Sequence, residues 1–307
     1  WKKEAGTLNT IESERFSLNG SVVCIGKFDG IHLGHQELLR YATEAAHRQS
    51  LYATMFTFLF EHQTDIYTES EKVVLAKEFG IDTYLSYPFS KEIKEMSPEV
   101  FVREMLVKKC NAKLIVAGED FCFGYKRGGN VSTLEQLAEK YKFQVKVFQK
   151  LSYQEKEISS TRIRKALLDG KIKLANAMLG RPFFFEGKVI LGNQIGRTLD
   201  MPTANLIPGS NKLLPPRGVY ASFVTIGEKG YYGVTNIGKK PTIPGRTGYG
   251  IETYIFDFDS NIYGEKIRVE LLDYLRPEQK FSDLDELKWN MHHDKESAMQ
   301  VFSHIGE

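Results

Sequence analysis

The sequence predicts two domains of different class. The first is an α/β domain with a doubly wound, Rossmann-like parallel sheet; the second is a small antiparallel six-stranded β-barrel followed by a C-terminal helix. Three observations carry this. Short apolar runs alternate with helical segments through the first half, which is the pattern of βαβ units. From about residue 184 the helical periodicity stops and strand-like runs lie between Gly and Pro clusters, the texture of a small barrel. A last amphipathic stretch, residues 284–304, reads as a helix.

The elements follow in order. Ser21-Val22-Val23-Cys24-Ile25-Gly26 is an apolar run suited to a parallel strand buried on both faces. A helix is expected from about Gly34, with Leu38, Leu39, Ala42, Ala45 and Ala46 at helical spacing. Residues 53–58 read as the second strand, 70–76 as a helix and 83–87 as the third strand. Ser97 caps the next helix and Pro98 takes its first position. Residues 114–118 and 144–148 complete a sheet built from right-handed crossovers. The barrel strands are expected at 185–191, 218–226, 231–237, 253–258 and 266–275, with Glu252 at the start of its strand. Domains of 1–180 and 184–307 result, with Leu179-Gly180-Arg181-Pro182 as the linker.

Bulk properties narrow the class. A length of 307 residues suits two domains, and a 42% hydrophobic content supplies real cores without a disorder signature. Net charge is +2, from 41 basic and 39 acidic side chains, so neither nucleic acid nor a membrane surface is an expected partner. Cys24, Cys110 and Cys122 form no CxxC pair and read as thiols of a reducing compartment. No window approaches the roughly 20 apolar residues of a membrane span, so the expected location is the cytoplasm. A homo-oligomer stays open.

The first chemical signal is Gly26-Lys27-Phe28-Asp29-Gly30-Ile31-His32-Leu33-Gly34-His35-Gln36. It lies where the first strand meets its helix, at the end of a parallel sheet that faces ligands. Gly26, Gly30 and Gly34 let the main chain approach phosphates, while Phe28 and Asp29 lie within the turn. His32 and His35, three apart, can point at the same phosphates and stabilise charge developing on the α-phosphate and departing pyrophosphate. Standing alone, such a loop is more often an incidental Gly-rich turn. A second motif, Ile158-Ser159-Ser160-Thr161-Arg162-Ile163-Arg164, adds hydroxyls at a helix start and then arginine, a phosphate-binding composition. In Gly118-Glu119-Asp120-Phe121-Cys122-Phe123-Gly124, a carboxylate beside two rings suits a planar ligand.

The second half carries its own signal. Gly187, Gly192 and Gly196, with Arg197, can wrap a polyphosphate. Thr203 and Asn205, in Asp200-Met201-Pro202-Thr203-Ala204-Asn205, alternate on an extended segment, so their oxygens share a face and can serve Mg²⁺. Glu252 can accept a hydroxyl proton during phosphoryl transfer, although a lone glutamate at a strand start is more often simply solvated.

Together the His-x-Gly-His turn and the Ser159–Arg164 motif resemble the signature of the nucleotidylyltransferase superfamily. The 118–130 segment, ending Arg127-Gly128-Gly129-Asn130, is similar to that of the bacterial FAD synthetase module. Pro202-Thr203-Ala204-Asn205, Asn236-Ile237-Gly238 with Pro241-Thr242, Glu252, Tyr263-Gly264 and Leu275-Arg276-Pro277 fall in the order of the riboflavin kinase family. About residues 18–305 thus resemble the bifunctional bacterial riboflavin kinase/FAD synthetase. The resemblance implies that the C-terminal half converts ATP and riboflavin to FMN and ADP. It implies that the N-terminal half converts ATP and FMN to FAD and pyrophosphate, both steps with Mg²⁺. By the same resemblance Thr203 and Asn205 serve Mg-ATP, Glu252 is the base for the ribityl 5′-hydroxyl, and Asp120, Phe121, Phe123 and Arg276 lie near flavin.

Three positions depart from the family pattern. Residues 57–63 lack the Pro-His-Pro element, Asp200 replaces a glycine, and Tyr254 stands where histidine is common. Two further readings therefore stay open, a paralogue with kinase activity alone and a non-catalytic flavin-binding sensor. Glu252, Thr203, Asn205, His32 and His35 weigh against the sensor, since binding alone needs no base.

Overall fold

The computed structural model describes residues 8–60, 64–191, 203–239 and 249–304. The chain forms two compact units that part after Ile158.

The first unit is built on six parallel strands, β1 (Asn9–Ile11), β2 (Ser21–Ile25), β3 (Tyr52–Leu59), β4 (Thr83–Pro88), β5 (Ala112–Gly118) and β6 (Gln144–Phe148). Their order is β1-β4-β3-β2-β5-β6, with every pairing parallel. The helices are α1 (Leu33–Arg48), α2 (Glu69–Glu78), α3 (Lys91–Glu95), α4 (Pro98–Phe101) and α5 (Val131–Tyr141). A π-helical stretch, Val102–Lys109, continues α4, and a small hairpin pairs β7 (Ser152–Tyr153) with β8 (Lys156–Glu157). The expected doubly wound sheet is present, and β1 adds an edge strand that its three polar-rich residues did not announce. All of β2 is buried, as befits a strand with neighbours on both sides and helices over both faces. The chain leaves β2 for β3 on one side, and β5 lies on the other. The crevice of an open α/β sheet forms at such a reversal, beyond the C-terminal strand ends.

Local signals set the helices. Helix α1 buries Leu38, Leu39, Ala42, Ala45 and Ala46 and packs chiefly on β3 and β2. Each buried Leu contributes about 2 kcal/mol by removal from water. Helix α2 starts at a capping box between Thr68 and Glu71. Ser97 caps α4 with Pro98 at its first position, as the sequence implies.

The second unit begins with α6 (Ser160–Leu168) and α7 (Ile172–Leu179). Next come β9 (Phe183–Lys188), β10 (Thr203–Leu206), β11 (Gly218–Ile226), β12 (Lys229–Lys239), β13 (Tyr249–Ile255) and β14 (Lys266–Pro277). Helix α8 (Leu284–Ser303) follows. The strands form one antiparallel sheet in the order β10-β13-β12-β11-β14-β9. It curls until a bridge between Ile190 and Asn205 joins the chain after β9 to β10. The stretch expected as linker, 179–182, lies between α7 and β9 within this unit. One expectation needs correction: Glu252 is interior to β13, not at its start. Gly250 looks like a strand breaker in sequence, but it pairs with Gly238 across the ladder and carries the strand back to Tyr249. Helix α8 lays Ala298 and Phe302 on Ala221 and Phe256, with Val234 and Tyr254 beside them, and Phe302 stacks on Tyr232 at 4.1 Å.

Asn176 of α7 latches the helix to the sheet. Its amide donates to the Leu271 carbonyl and accepts from the Phe183 N–H, both at 2.8 Å. Asn176→Ala leaves both backbone groups without these partners and should cost about 2 kcal/mol. Urea denaturation followed on the second unit checks this; an unchanged midpoint would contradict the latch.

Candidate functional site

In the first unit, β2 delivers the chain into the His-x-Gly-His turn at the switch point. Phe28 and Ile31 both hold left-handed backbone, at φ 46° and 42°. Such conformations cost about 1–3 kcal/mol each and persist where surrounding structure fixes them. The fixing is visible: the rings of Phe28 and Ile31 side chain are fully buried, and the Asp29 carboxylate accepts the Ile66 N–H at 2.9 Å. Gln36 donates to the Ile31 carbonyl at 3.1 Å. His32 caps α1, its Nδ1 accepting the His35 N–H at 3.4 Å. A Cβ on Gly34 would meet the His32 ring at 3.4 Å, and one on Gly26 would meet Phe28 at 3.3 Å. Gly26 thus leaves room for the Phe28 ring.

The two imidazoles stack at 3.8 Å, and His35 packs on Phe28 at 5.0 Å. Burial lowers the His32 pKa to about 4, against the opposing pull of Asp120 and Asp29. Burial also holds His35 well below the ordinary imidazole value, and neighbouring His32 adds to it. Both rings are thus neutral at pH 7, and His35 Nδ1 is buried with no hydrogen-bond partner among the described residues.

The Gly118–Gly124 segment leaves β5 on the other side of the switch point. Asp120 lies near enough to exert an electrostatic pull on His32, and Lys150 stands 3.5 Å from its carboxylate. Phe121 stacks on Phe123 at 5.4 Å, and Phe123 rests on Phe101. Gly124 is tight against Pro98, where a Cβ would come to 2.8 Å. The structure therefore stacks His32 on His35, with Asp29 and Asp120 near enough to act electrostatically on His32 and the Phe121–Phe123 stack on the turn that carries Asp120. Ser159 caps α6 in the second unit, accepting the Arg162 N–H at 3.3 Å, with Ser160, Thr161 and Arg164 in the first turns.

In the second unit the site is a matter of register. Asn205 lies opposite Glu252, Glu252 opposite Asn236, Asn236 opposite Val219 and Val219 opposite Arg276. Directly paired residues share a face, so five strands present one transverse row. Thr203, two residues from Asn205, joins that face, and its hydroxyl donates to Glu252 Oε1 at 2.9 Å. Asn205 is buried, its amide donating to the Thr203 carbonyl at 3.3 Å. Beneath Glu252, on the opposite face, Thr235 links Ser222 and Thr253 in a buried hydroxyl chain at 2.8 and 2.9 Å. Arg276 closes the row, clamped by Asp294 of α8 through two bonds of 2.6 and 2.7 Å. Tyr254, opposite Thr203, packs on Phe256 at 5.4 Å. Gly187 lies in β9, whereas Gly192, Gly196, Arg197, Asp200 and residues 61–63 lie outside the described residues. Sequence reasoning missed Asn236 and Asp294. Asn236 was visible only as part of a Gly-containing run, and its pairing with Glu252 emerges once the β12–β13 register is known.

A doubly wound unit with a His-x-Gly-His turn at its switch point, joined to a curled antiparallel unit with a Thr–Glu–Asn row, defines a two-site ATP-using transferase. Comparison with known proteins makes the assignment specific. Residues 15–162 match the FAD synthetase family and residues 179–302 the riboflavin kinase family. A bifunctional riboflavin kinase/FMN adenylyltransferase from Buchnera aphidicola subsp. Schizaphis graminum is 38% identical over 301 residues, covering 94% of this chain and 96% of its own. The Escherichia coli K12 enzyme of the same name is 35% identical over 92% of this chain and 93% of its own. A Streptococcus pneumoniae crystal structure described as a macrolide-efflux protein superposes with a TM-score of 0.81 at 32% identity, covering 95% of this chain and 98% of that one. The chain belongs to the bifunctional riboflavin kinase/FMN adenylyltransferase family. It phosphorylates riboflavin to FMN with ATP and adenylylates FMN to FAD. Among the described residues no helix is long and apolar enough to cross a membrane.

The neutral histidine pair has a consequence for stability. Below the ordinary imidazole pKa of about 6.5 the unfolded chain takes up a proton that folded His32 refuses until about pH 4. Stability should therefore fall as pH drops through that window, by roughly 3 kcal/mol for His32 alone. Denaturation of wild type and His32→Ala at pH 7 and 4.5 checks it: the variant should lose less, and equal losses would contradict the assignment.

Proposed function

We propose that the two reactions are divided between the two residue sets described above, the 1–180 segment carrying adenylylation and 184–307 carrying the kinase. The observation that supports the kinase assignment most is the Thr203–Glu252 hydrogen bond within a single cross-strand row. The hydroxyl holds one carboxylate oxygen, which orients Glu252 as the base for the ribityl 5′-hydroxyl. That alcohol oxygen then attacks the γ-phosphorus of ATP, its proton passes to Glu252, and ADP leaves. Gly187, Gly192, Gly196 and Arg197 serve the polyphosphate, and Arg276 serves the flavin.

The donors here suit Mg²⁺. A threonine hydroxyl, an asparagine amide and a carboxylate are hard oxygen groups. Among the described residues no cluster of three or more His, Cys, Asp or Glu side chains offers an all-protein cage. A cation that takes one or two protein oxygens and completes its shell with substrate phosphates fits that supply. Thr203 and Asn205 would hold it, and bound there it would neutralise phosphate charge.

For adenylylation, His32 and His35 donate to the phosphates, and Gly26, Phe28, Asp29 and Gly34 shape the turn that receives them. Ser159, Ser160, Thr161 and Arg164 add hydroxyl and guanidinium donors to nucleotide phosphate. The FMN phosphate itself attacks the α-phosphorus and pyrophosphate departs, so no protein nucleophile is required. Asp120, Phe121 and Phe123 receive the flavin. The three free cysteines suit a reducing, cytoplasmic setting.

Two substitutions separate the halves. Glu252→Gln should lower FMN formation by at least about a hundredfold while FMN-to-FAD conversion continues. The double change His32→Ala and His35→Ala should do the reverse. Chromatographic separation of flavins after incubation with ATP reads both, and loss of both reactions from either variant would overturn the division.

A further inference from the structure

Arg276 stands at the end of the Asn205–Glu252–Asn236–Val219 row, on the face that α8 covers. Its donors are largely committed. Nε and one terminal nitrogen bond the two oxygens of Asp294 at 2.6 and 2.7 Å, and the other terminal nitrogen donates to the Pro277 carbonyl at 3.1 Å. Asp294 is itself buried, at 5% exposure, and the guanidinium lies 5.7 Å from the Phe281 ring centroid. A bidentate pair of this kind fixes the plane of the guanidinium as well as its position. It also cancels the arginine's charge. An arginine so neutralised makes a poor phosphate clamp. Its remaining N–H groups and flat face suit an uncharged, planar, acceptor-rich ring.

We propose that Asp294 of the C-terminal helix is a positioning residue of the kinase site. It sets the plane of Arg276 for the isoalloxazine ring of riboflavin and removes the charge that would otherwise attract phosphate. This rests on the reading of Arg276 as a flavin contact. It assigns to α8, otherwise a packing element over the sheet, a direct part in substrate affinity. The helix is well placed for it, since Ala298 and Phe302, one and two turns beyond Asp294, are the residues that seat α8 on Ala221 and Phe256. The clamp is thus held by the same contacts that hold the helix.

The test is a kinetic cycle on the full chain with Asp294→Asn, Arg276→Gln and the double variant. Asp294→Asn should raise the KM for riboflavin about tenfold, the scale of one misdirected charge-assisted hydrogen bond. The KM for ATP and the rate of FMN-to-FAD conversion should be little changed. Asp294→Glu keeps the charge one methylene away and should recover part of the riboflavin affinity; it carries the test if the Asn variant does not fold. In the Arg276→Gln background, Asp294→Asn should add nothing further. Equal rises in both KM values, or a full additional loss in the double variant, would overturn the proposal and leave Asp294 a structural residue. If Arg276→Gln leaves the riboflavin KM unchanged, the flavin-contact reading fails, and the proposal with it. If Arg276→Gln raises it but neither Asp294 variant does, only the positioning role fails.

Discussion

Strand register is the constraint on which both sites depend. In a parallel sheet every strand ends at the same edge, so side chains needed together must come from loops at that edge. The turn after β2 and the turn after β5 meet that condition, and Asp120 on the second acts electrostatically on His32 on the first. In an antiparallel sheet the strands alternate in direction, and residues are gathered by pairing across the ladder. The row from Asn205 to Arg276 is the result. The residues proposed for adenylylation thus lie on turns at strand ends, whereas those proposed for the kinase are gathered by pairing across the ladder.

Charge is managed in a similar way at both. The histidines are buried enough to be neutral, so the turn does not hold two cations at stacking distance. Arg276 is neutralised by a carboxylate, and Glu252 is held by a hydroxyl. Buried polar groups cost free energy unless partnered, and the partners double as orienting devices. Phe28 and Ile31 show the corresponding backbone cost, with strain held in place by complete burial and by the Asp29 bond to Ile66.

Much of this was legible beforehand because local rules carry it. The apolar run of β2, the Ala and Leu spacing of α1 and the Ser97–Pro98 helix start are short-range signals, and each element appears where expected. Thr203 and Asn205 sharing a face follows from strand alternation alone. What the sequence withheld is long-range. Edge strand β1 has no apolar pattern and exists because β4 offers it a partner. The start of β13 was misplaced because Gly250 has meaning only opposite Gly238. Asn236 and Asp294 were not singled out because their importance lies in pairing with residues far away in the chain. The neutral state of His32 likewise depends on burial that no motif displays.

One chain carries both activities, riboflavin to FMN and FMN to FAD. The most direct measurement is a time course of the wild-type protein with ATP, magnesium and riboflavin, separating flavins and nucleotides at each point. FMN and ADP should appear first, and FAD with pyrophosphate should follow as FMN accumulates. FMN that accumulates without any FAD, or riboflavin that binds and is never converted, would contradict it.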